Sequence, residues 1–305
     1  MKKIQLSVII VNYNVAVEIE ESIRSIYGNL SKIDLDIIVI DNNSPDRSIE
    51  KLANKFPDIR LLLYKENYGY SKANNIGVSL SKYETILILN PDTVLIEDFV
   101  TPIVTYIDNS ERTGVCGPML LYKDRNFQSS NGLKLGIVYE TAEALMFINY
   151  YRKLIRWIQR NKYNSNTPFK VNWMSGACFI VKKDIFLSVG GFNTEYFMNY
   201  EDIDICKRIS DAGYYNYYFP FLKCIHLDQT SQKRDYEKFT LSRYSSRLMY
   251  AKNNYNTVTR FIVRIIHVSG LILRLFTVGY FYEGREKVQR QSGYKKALKL
   301  YLGFN

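Results

Sequence analysis

The sequence has only four cysteines, Cys116, Cys178, Cys206 and Cys224, scattered without a Cys-x-x-Cys pair. That spacing excludes a zinc site or a disulfide framework, so they read as reduced, mostly buried thiols. There is no Gly-x-Gly-x-x-Gly and no Gly-x-x-x-x-Gly-Lys-Ser/Thr. The usual dinucleotide and Walker-type phosphate loops are therefore absent, and a phosphate-bearing ligand would need metal or side-chain help. Lys2 and Lys3 precede an apolar run, Ile4 to Val11, but Gln5 and Ser7 break it and no small-residue cleavage site follows. A signal peptide is not expected, and without a disulfide framework the cytoplasm is the expected compartment. Acid is scarce at one end only: residues 1–229 carry 26 Lys+Arg against 26 Asp+Glu, whereas residues 230–305 carry 15 against 4. The entire net charge of +11 thus sits in the last quarter, where any anionic surface is expected to be met.

What is present fits a globular protein: 47% hydrophobic and 23% charged side chains over 305 residues. At about 150 residues per domain the length suits two units, or one α/β domain with an appendage. Strands are expected at Leu6 to Val11, Leu35 to Ile40, Ile59 to Leu63, Ile86 to Leu89 and Val115 to Met119. Helical spacing lies between them at Val17 to Ile26 with Gly28 as a stop, Ser48 to Lys55 ended by Pro57, and Ser71 to Leu80. This βαβα rhythm predicts a mostly parallel, doubly wound α/β sheet flanked by helices, with ligands beyond the carboxyl ends of its strands.

Those strand ends are polar: Asn12-Tyr13-Asn14, Asp41-Asn42-Asn43-Ser44, Asn67-Tyr68-Gly69-Tyr70 and Asn90-Pro91-Asp92-Thr93. Each alone reads as an ordinary turn. Four in succession point to one crevice. Asp41 and Asn42 offer a carboxylate and an amide suited to the polar edge of a uracil or thymine ring, and Val11 and Tyr13 could flank it. Gly69 permits close backbone approach, and Lys72 either reaches a phosphate or is a solvated helix-face lysine. Asn74 and Asn75 read as positioning residues. Farther on, Glu201, Asp202 and Asp204 fall in the first turn of a helix marked by Ile205, Ile209 and Ala212, where the macrodipole favours ionised carboxylates. They are helix-capping acids or a reactive cluster, and the neighbouring Tyr196, Phe197 and Tyr200 suggest a cleft wall.

The motifs SVIIVNYN (7–14), VIDNNSPD (39–46), NYGYSKANNIG (67–77), LILNPDT (87–93), WMSGACFIVKKD (173–184), GGFNTEYFMNYEDIDICKRISDAG (190–213) and His226 occur in one order over residues 4 to 228. In this the chain resembles the family 2 glycosyltransferases, most closely the rhamnosyltransferase-like branch that builds bacterial surface polysaccharides. The resemblance implies a GT-A type, Rossmann-like fold, a nucleotide-sugar donor, a divalent metal and inversion at the anomeric carbon. It implies a catalytic domain over 1–229, with a nucleotide-sugar half over about 1–120 and an acceptor half over about 121–229, followed by a basic helical extension over 230–305. It puts the nucleobase at Asp41 and Asn42. Asn90-Pro91-Asp92 stands where the family has Asp-x-Asp, with Asn90 in the first acidic place, as is typical of this branch. Asp92 would hold Mg²⁺ or Mn²⁺ unless it is a mere strand-end turn. The resemblance makes Asp202 the general base with Glu201 beside it, and makes His226 a second metal ligand rather than a packed or capping histidine. Trp173, Ser175, Gly176 and Ala177 would form a sugar pocket or simply pack, with Asn193 and Glu195 as further sugar contacts.

In the basic tail, Arg260, Arg264, His267 and Arg274 fall within about 80° of helix arc, opposite Phe261, Ile262, Ile265, Ile266, Leu273 and Phe276. The uncharged run is too short for a bilayer crossing, so 258–305 is expected to lie on an anionic membrane, arginines on lipid phosphates, or to dock on the catalytic domain. A second basic pattern, Ala144 to Ile158 with Arg152, Lys153, Arg156 and nearby Arg160, lines an acceptor entrance or the same membrane face. No nucleic-acid motif accompanies these runs, and no nucleic-acid partner is expected.

The expectation is an inverting, metal-dependent glycosyltransferase, peripheral at the inner face of the plasma membrane. It would move a sugar, such as L-rhamnose from dTDP-rhamnose, to a lipid-linked oligosaccharide acceptor. The rivals are a UDP-hexose or UDP-galactofuranose transferase, a non-catalytic nucleotide-sugar or membrane-binding protein, and a nucleotidyltransferase. The last would want a glycine-rich basic loop after the first strand, where Asn12-Tyr13-Asn14 stands.

Overall fold

A computed structural model of the chain describes residues 3–46, 49–196, 199–227 and 235–303. Ser48, Phe197 and the 229/230 boundary expected above lie outside these residues. Strand and helix alternate first as β1 (Gln5–Asn12), α1 (Ala16–Asn29), β2 (Asp34–Asp41), α2 (Glu50–Lys55), β3 (Arg60–Leu63), α3 (Gly69–Leu80), β4 (Thr85–Leu89), β5 (Thr93–Leu95), α4 (Val100–Asp108) and β6 (Thr113–Leu121). There follow β7 (Asn131–Gly132), α5 (Ile137–Ala144), α6 (Ile148–Ile158), α7 (Arg160–Tyr163), β8 (Phe169–Val171), β9 (Trp173–Met174), β10 (Cys178–Lys182), α8 (Lys183–Ser188), α9 (Glu201–Asp211) and β11 (Tyr215–His226). Three long helices, α10 (Tyr236–Asn254), α11 (Thr257–Phe281) and α12 (Gly284–Leu302), complete the chain. The chain falls into two units, one of 1–133, 161–195 and 201–228, the other of 134–160, 196–200 and 229–305. Residues 134–160, inside the 121–229 stretch of the sequence reading, therefore group with the C-terminal helices.

The first unit is a nine-stranded sheet in the order β3-β2-β1-β4-β10-β6-β11-β5, with β8 also on β11. β1, β2, β3 and β4 are parallel. β10 then inserts antiparallel between β4 and β6, and β11 runs parallel to β6. The sheet is thus mixed but mostly parallel. Side-chain parity explains its two apolar faces. Leu6, Val8 and Ile10 of β1, with Ile37, Val39, Leu87 and Leu89, meet α1, α2 and α4 through Ile19, Ile23, Leu52 and Ile103. The intervening Ile9, Val11, Ile38, Ile40, Ile86 and Ile88 meet α3, α8 and α9 through Ala73, Val78, Phe186 and Ile205. At Gly77 α3 approaches so closely that a Cβ would overlap Ile9 and Ile40. All four cysteines are free and buried. β11 begins in the aromatic run Tyr215 to Phe221, and pairing with β5 and β6 carries it on to His226.

In the second unit α11 presents the reverse of the expected polarity. Its apolar residues Phe261, Ile265, Phe276 and Tyr280 are 64%, 51%, 77% and 88% exposed. Of its polar stripe, His267 is buried and Arg274 half-buried, while Arg264 stays exposed. His267 is buried between Glu140 of α5, at 2.9 Å, and the Tyr301 hydroxyl of α12, also at 2.9 Å. Arg274 donates to the carbonyl of Ala144 at 2.7 Å, and Arg264 to that of Tyr301 at 2.6 Å, closing the last turn of α12. Arg264, though exposed, and Arg274 are therefore each engaged with a protein carbonyl. The reason is acid on α5: Glu140 pairs with Arg247 of α10, and Glu143 pairs with Arg243 at 3.1 Å. Gly270 lets α11 cross α5 where any Cβ would overlap Ala144. By length and composition α11 could also cross a membrane, with a mean hydropathy of 1.9 over its most apolar stretch, 28% of which is buried.

Burial alone would raise the Glu140 pKa, but the Arg247 guanidinium and His267 overcome it and hold the carboxyl down at about 2. Such a depressed acid contributes stability that is complete above its unfolded value of about 4.3 and is lost as pH falls through its folded value. Glu140→Ala breaks the buried pair with Arg247, leaving that guanidinium the 3.5 Å contact to Glu143, and removes one partner of His267. Urea unfolding at neutral pH should show this unit losing up to about 3–5 kcal/mol, the cost of breaking a buried ion pair.

Candidate active site

The polar strand ends do converge in the first unit. At the carboxyl ends of β1 and β2, Asn12 and Asp41 are register partners, and Asn12 Nδ2 donates to Asp41 Oδ1 at 2.6 Å and to Ser44 Oγ at 2.9 Å. Asp41 Oδ2 accepts from the Ser44 amide at 3.0 Å. Each Asp41 oxygen thereby takes one protein donor, which keeps a further lone pair on each for a ligand. Asn42 is used differently. Its Nδ2 donates to Asn67 Oδ1 at 2.9 Å and to the Gly69 carbonyl at 3.3 Å, while its Oδ1 accepts from the Tyr68 amide at 2.7 Å. Both amide hydrogens and the oxygen are engaged, so Asn42 ties the β2 end to the start of α3. Val11 is packed in the core, whereas Tyr13 is 49% exposed. Gly69 has a φ of 74° and opens α3; Lys72, in the next turn, is exposed with Nζ 3.9 Å from the centroid of the Tyr68 ring.

A second cluster forms where β4, β5 and β11 end. His226 is the register partner of Thr93, and its Nε2 lies 3.3 Å from Asp92 Oδ1 and 3.3 Å from Asn90 Nδ2. Its Nδ1 lies 3.0 Å from Gln128 Oε1. When Nδ1 carries the ring hydrogen it donates to Gln128 Oε1, and Nε2 accepts from the Asn90 amide. The Nε2 lone pair and the Asp92 carboxylate then face each other as two acceptors, a pairing that suits a shared divalent cation, with Gln128 orienting the ring. Among the described residues there is no group of three or more His, Cys, Asp or Glu able to hold a metal. Asp92 and His226 fit such a cation only with oxygens supplied by a bound ligand.

The third cluster is Glu201, Asp202 and Tyr70. Asp202 is half-buried, and its Oδ2 accepts from the Gly176 amide at 3.0 Å. The Tyr70 hydroxyl donates to the Gly176 carbonyl at 2.8 Å. On the other side, the Ala177 carbonyl accepts from the Asn90 amide at 2.8 Å and from Thr93 Oγ1 at 3.2 Å. One short backbone segment thus holds both the Asp92 strand end and Asp202. Glu201 is buried, and its Oε2 has no hydrogen-bond partner. Desolvation, then the Asp202 charge, pushes the Glu201 pKa up; desolvation also raises Asp202 against the hydrogen bonds from Gly176 and Ile203. Burial and both carboxylates push the Tyr70 hydroxyl up, so it remains a donor.

Other expected residues sit apart from these contacts. The Trp173 indole is buried over Gly132, with Nε1 donating to the Leu133 carbonyl at 3.0 Å, which is packing. Ser175 Oγ turns back to the Ala177 amide at 3.2 Å. Asn193 Oδ1 accepts from the Glu195 amide at 3.0 Å in a local turn, and Glu195 is exposed. Asn75 anchors the preceding residue, bonding both the amide and the carbonyl of Phe192 at 2.8 Å. Tyr196 and Tyr200 are buried in the second unit, Tyr200 against Tyr250, and do not stand open as a cleft wall. The sequence reading had assigned no role to Asn12, Ser44, Tyr70 or Gln128. Tyr70 adjoins Gly69 in a motif already noted, but nothing local marks Gln128.

Residues 7–189 match a family profile described as "Glycosyl transferase family 2". An N-acetylglucosaminyl-diphospho-decaprenol L-rhamnosyltransferase of Mycobacterium tuberculosis is 23% identical over 262 residues, 82% of this chain and 85% of that protein. The dTDP-rhamnosyl transferase RfbF of Shigella flexneri is 26% identical over 223 residues, 72% of this chain and 67% of that protein. A solved mannosyltransferase of Pyrobaculum calidifontis, in complex with GDP-Man and Mn²⁺, superposes with a TM-score of 0.59 at 18% identity, covering 99% of this chain and 83% of its own. That likeness is one of fold, GT-A-like.

A buried acid with a raised pKa destabilises the folded state increasingly as pH climbs from its unfolded value through its folded one. Glu201→Gln removes that penalty. Urea unfolding at about pH 5 and about pH 9 should show the variant gaining on the parent at the higher pH. An equal difference at both would deny that Glu201 is held protonated.

Proposed function

Because the chain belongs to glycosyl transferase family 2, we propose that it moves a sugar from a nucleoside diphosphate to a lipid-linked glycan acceptor, inverting the anomeric centre. The observation that carries this reading is the Ser175-Gly176-Ala177 segment, bonded at one end to Asn90, just after β4, and Thr93, the first residue of β5, and at the other to Asp202. In this reading it joins the end of the crevice that carries the base to the end that holds the cation. Rhamnose as the transferred sugar, and dTDP as its carrier, are supported by the printed names of the two relatives, as is a polyprenyl-diphosphate acceptor. The proposed place of action is the cytoplasmic face of the membrane, reached through 258–305. In this reading the exposed apolar face of α11 makes the contact in place of Arg264 and Arg274.

In the proposed mechanism Asp41 accepts from the nucleobase edge, and the exposed ring of Tyr13 lies beside it. Asp92 and His226 would hold Mg²⁺ or Mn²⁺, which offsets the charge developing on the departing diphosphate. Asp202, ionised, takes the proton of the acceptor hydroxyl as that oxygen attacks the anomeric carbon. The Gly176 amide aims Asp202. Glu201 stays protonated, so the pair carries a single negative charge on the atom that needs it. The nucleoside diphosphate leaves from the opposite face, and no covalent enzyme intermediate forms.

Asp202→Asn should retain calorimetric binding of dTDP or UDP, enhanced by Mn²⁺, while transfer falls by about two to four orders of magnitude. Near-normal transfer would remove Asp202 from the base's role. A preference for dTDP over UDP in the same titration supports rhamnose, and the reverse supports a UDP-sugar.

A further inference from the structure

The helix α6 stands outside the transferase machinery. None of its residues is buried. Phe147, Tyr150, Leu154, Trp157 and Ile158 follow at helical spacing and are 58%, 72%, 53%, 63% and 60% exposed. At about 100° per residue they occupy one arc, and Arg152, Lys153, Arg156 and Arg160 occupy the opposite one. Residues 144–183 contain no aspartate or glutamate. Arg152 and α5 secure the helix from behind: its guanidinium reaches the Tyr139 hydroxyl at 3.4 Å. Arg160 lies over the Trp157 ring at 5.2 Å, where the cation borders the apolar arc.

A helix with large aromatics turned to solvent and only positive charge beside them is stable in water at a cost that one environment removes. The headgroup boundary of an anionic bilayer takes the apolar arc into the acyl edge and lets lysine and arginine stems reach up to phosphate. Tryptophan is the side chain most at home at that depth. We infer that α6 is a monolayer-inserting helix that lies in the plane of an anionic lipid surface, with Trp157, Leu154 and Tyr150 immersed and Lys153, Arg156 and Arg160 on headgroup phosphates. This is a membrane element separate from residues 258–305. It deepens the membrane location proposed above and rests on it.

Trp157 supplies the probe, because the other tryptophan, Trp173, is 8% exposed and cannot change much. The full chain is titrated with vesicles of phosphatidylcholine, with and without phosphatidylglycerol, following tryptophan emission and cosedimentation. The expected result is a blue shift and protection from acrylamide with anionic vesicles, both abolished in Trp157→Phe. Lys153→Glu with Arg156→Glu, both on the solvent side, should weaken partitioning at least about tenfold while leaving donor hydrolysis at the parental rate. Cosedimentation with Trp157 still in water would leave the membrane location standing and overturn the role of α6. A shift that follows protein concentration without lipid would make this face a contact between copies of the chain, and would likewise overturn it. Absence of cosedimentation would sink both.

Discussion

The candidate site depends on the backbone hydrogen bonds of two consecutive residues, Gly176 and Ala177. The Gly176 amide holds Asp202, its carbonyl takes the Tyr70 hydroxyl, and the Ala177 carbonyl holds Asn90 and Thr93. These are backbone groups of the turn that leads directly into β10, the strand that runs antiparallel between β4 and β6. A short turn anchored to the sheet therefore ties Asn90 and Thr93 to the Asp202 carboxylate. The electrostatics follow from the same placement. Asp202 and Glu201 sit where desolvation raises both, and the Gly176 and Ile203 amides act against that rise at Asp202.

Much of this was legible in sequence because it is local. The buried strands announced themselves as unbroken apolar runs, and parity assigned Leu6, Val8 and Ile10 to one face and Ile9 and Val11 to the other. Asn12, Asp41, Asn90 and Asp92 were visible as polar strand ends. What each of them does was not, because it depends on partners far along the chain. Asn42 could be read as a ligand for a nucleobase; its amide hydrogens go to Asn67 and Gly69, and its oxygen accepts from Tyr68. Gln128 orients His226 across a separation that no motif spans. Trp173, an aromatic beside small residues, packs on Gly132.

The tail shows the limit of periodicity most plainly. A helical wheel separates apolar from polar residues on α11 but is silent on which side faces inward. Glu140 and Glu143 decide it. They lie more than a hundred residues earlier and draw Arg243, Arg247 and His267 into the interior of their unit, leaving Phe261, Phe276 and Tyr280 outside. The positive charge of the last quarter is thus partly structural, matched by acid in the neutral body of the sequence. The α6 stretch carries no acid of its own, and none of the helix's residues is buried.

The central claim is that one oriented carboxylate and one cation-binding pair carry out a single displacement. The most direct measurement is the anomeric configuration of the first product formed from a nucleoside-diphosphate sugar, followed by proton NMR before mutarotation or a second transfer intervenes. The account predicts a product inverted relative to the donor from the first turnover. Retention would require a covalent intermediate or a same-face attack, and would contradict the roles given to Asp202 and to the segment that holds it.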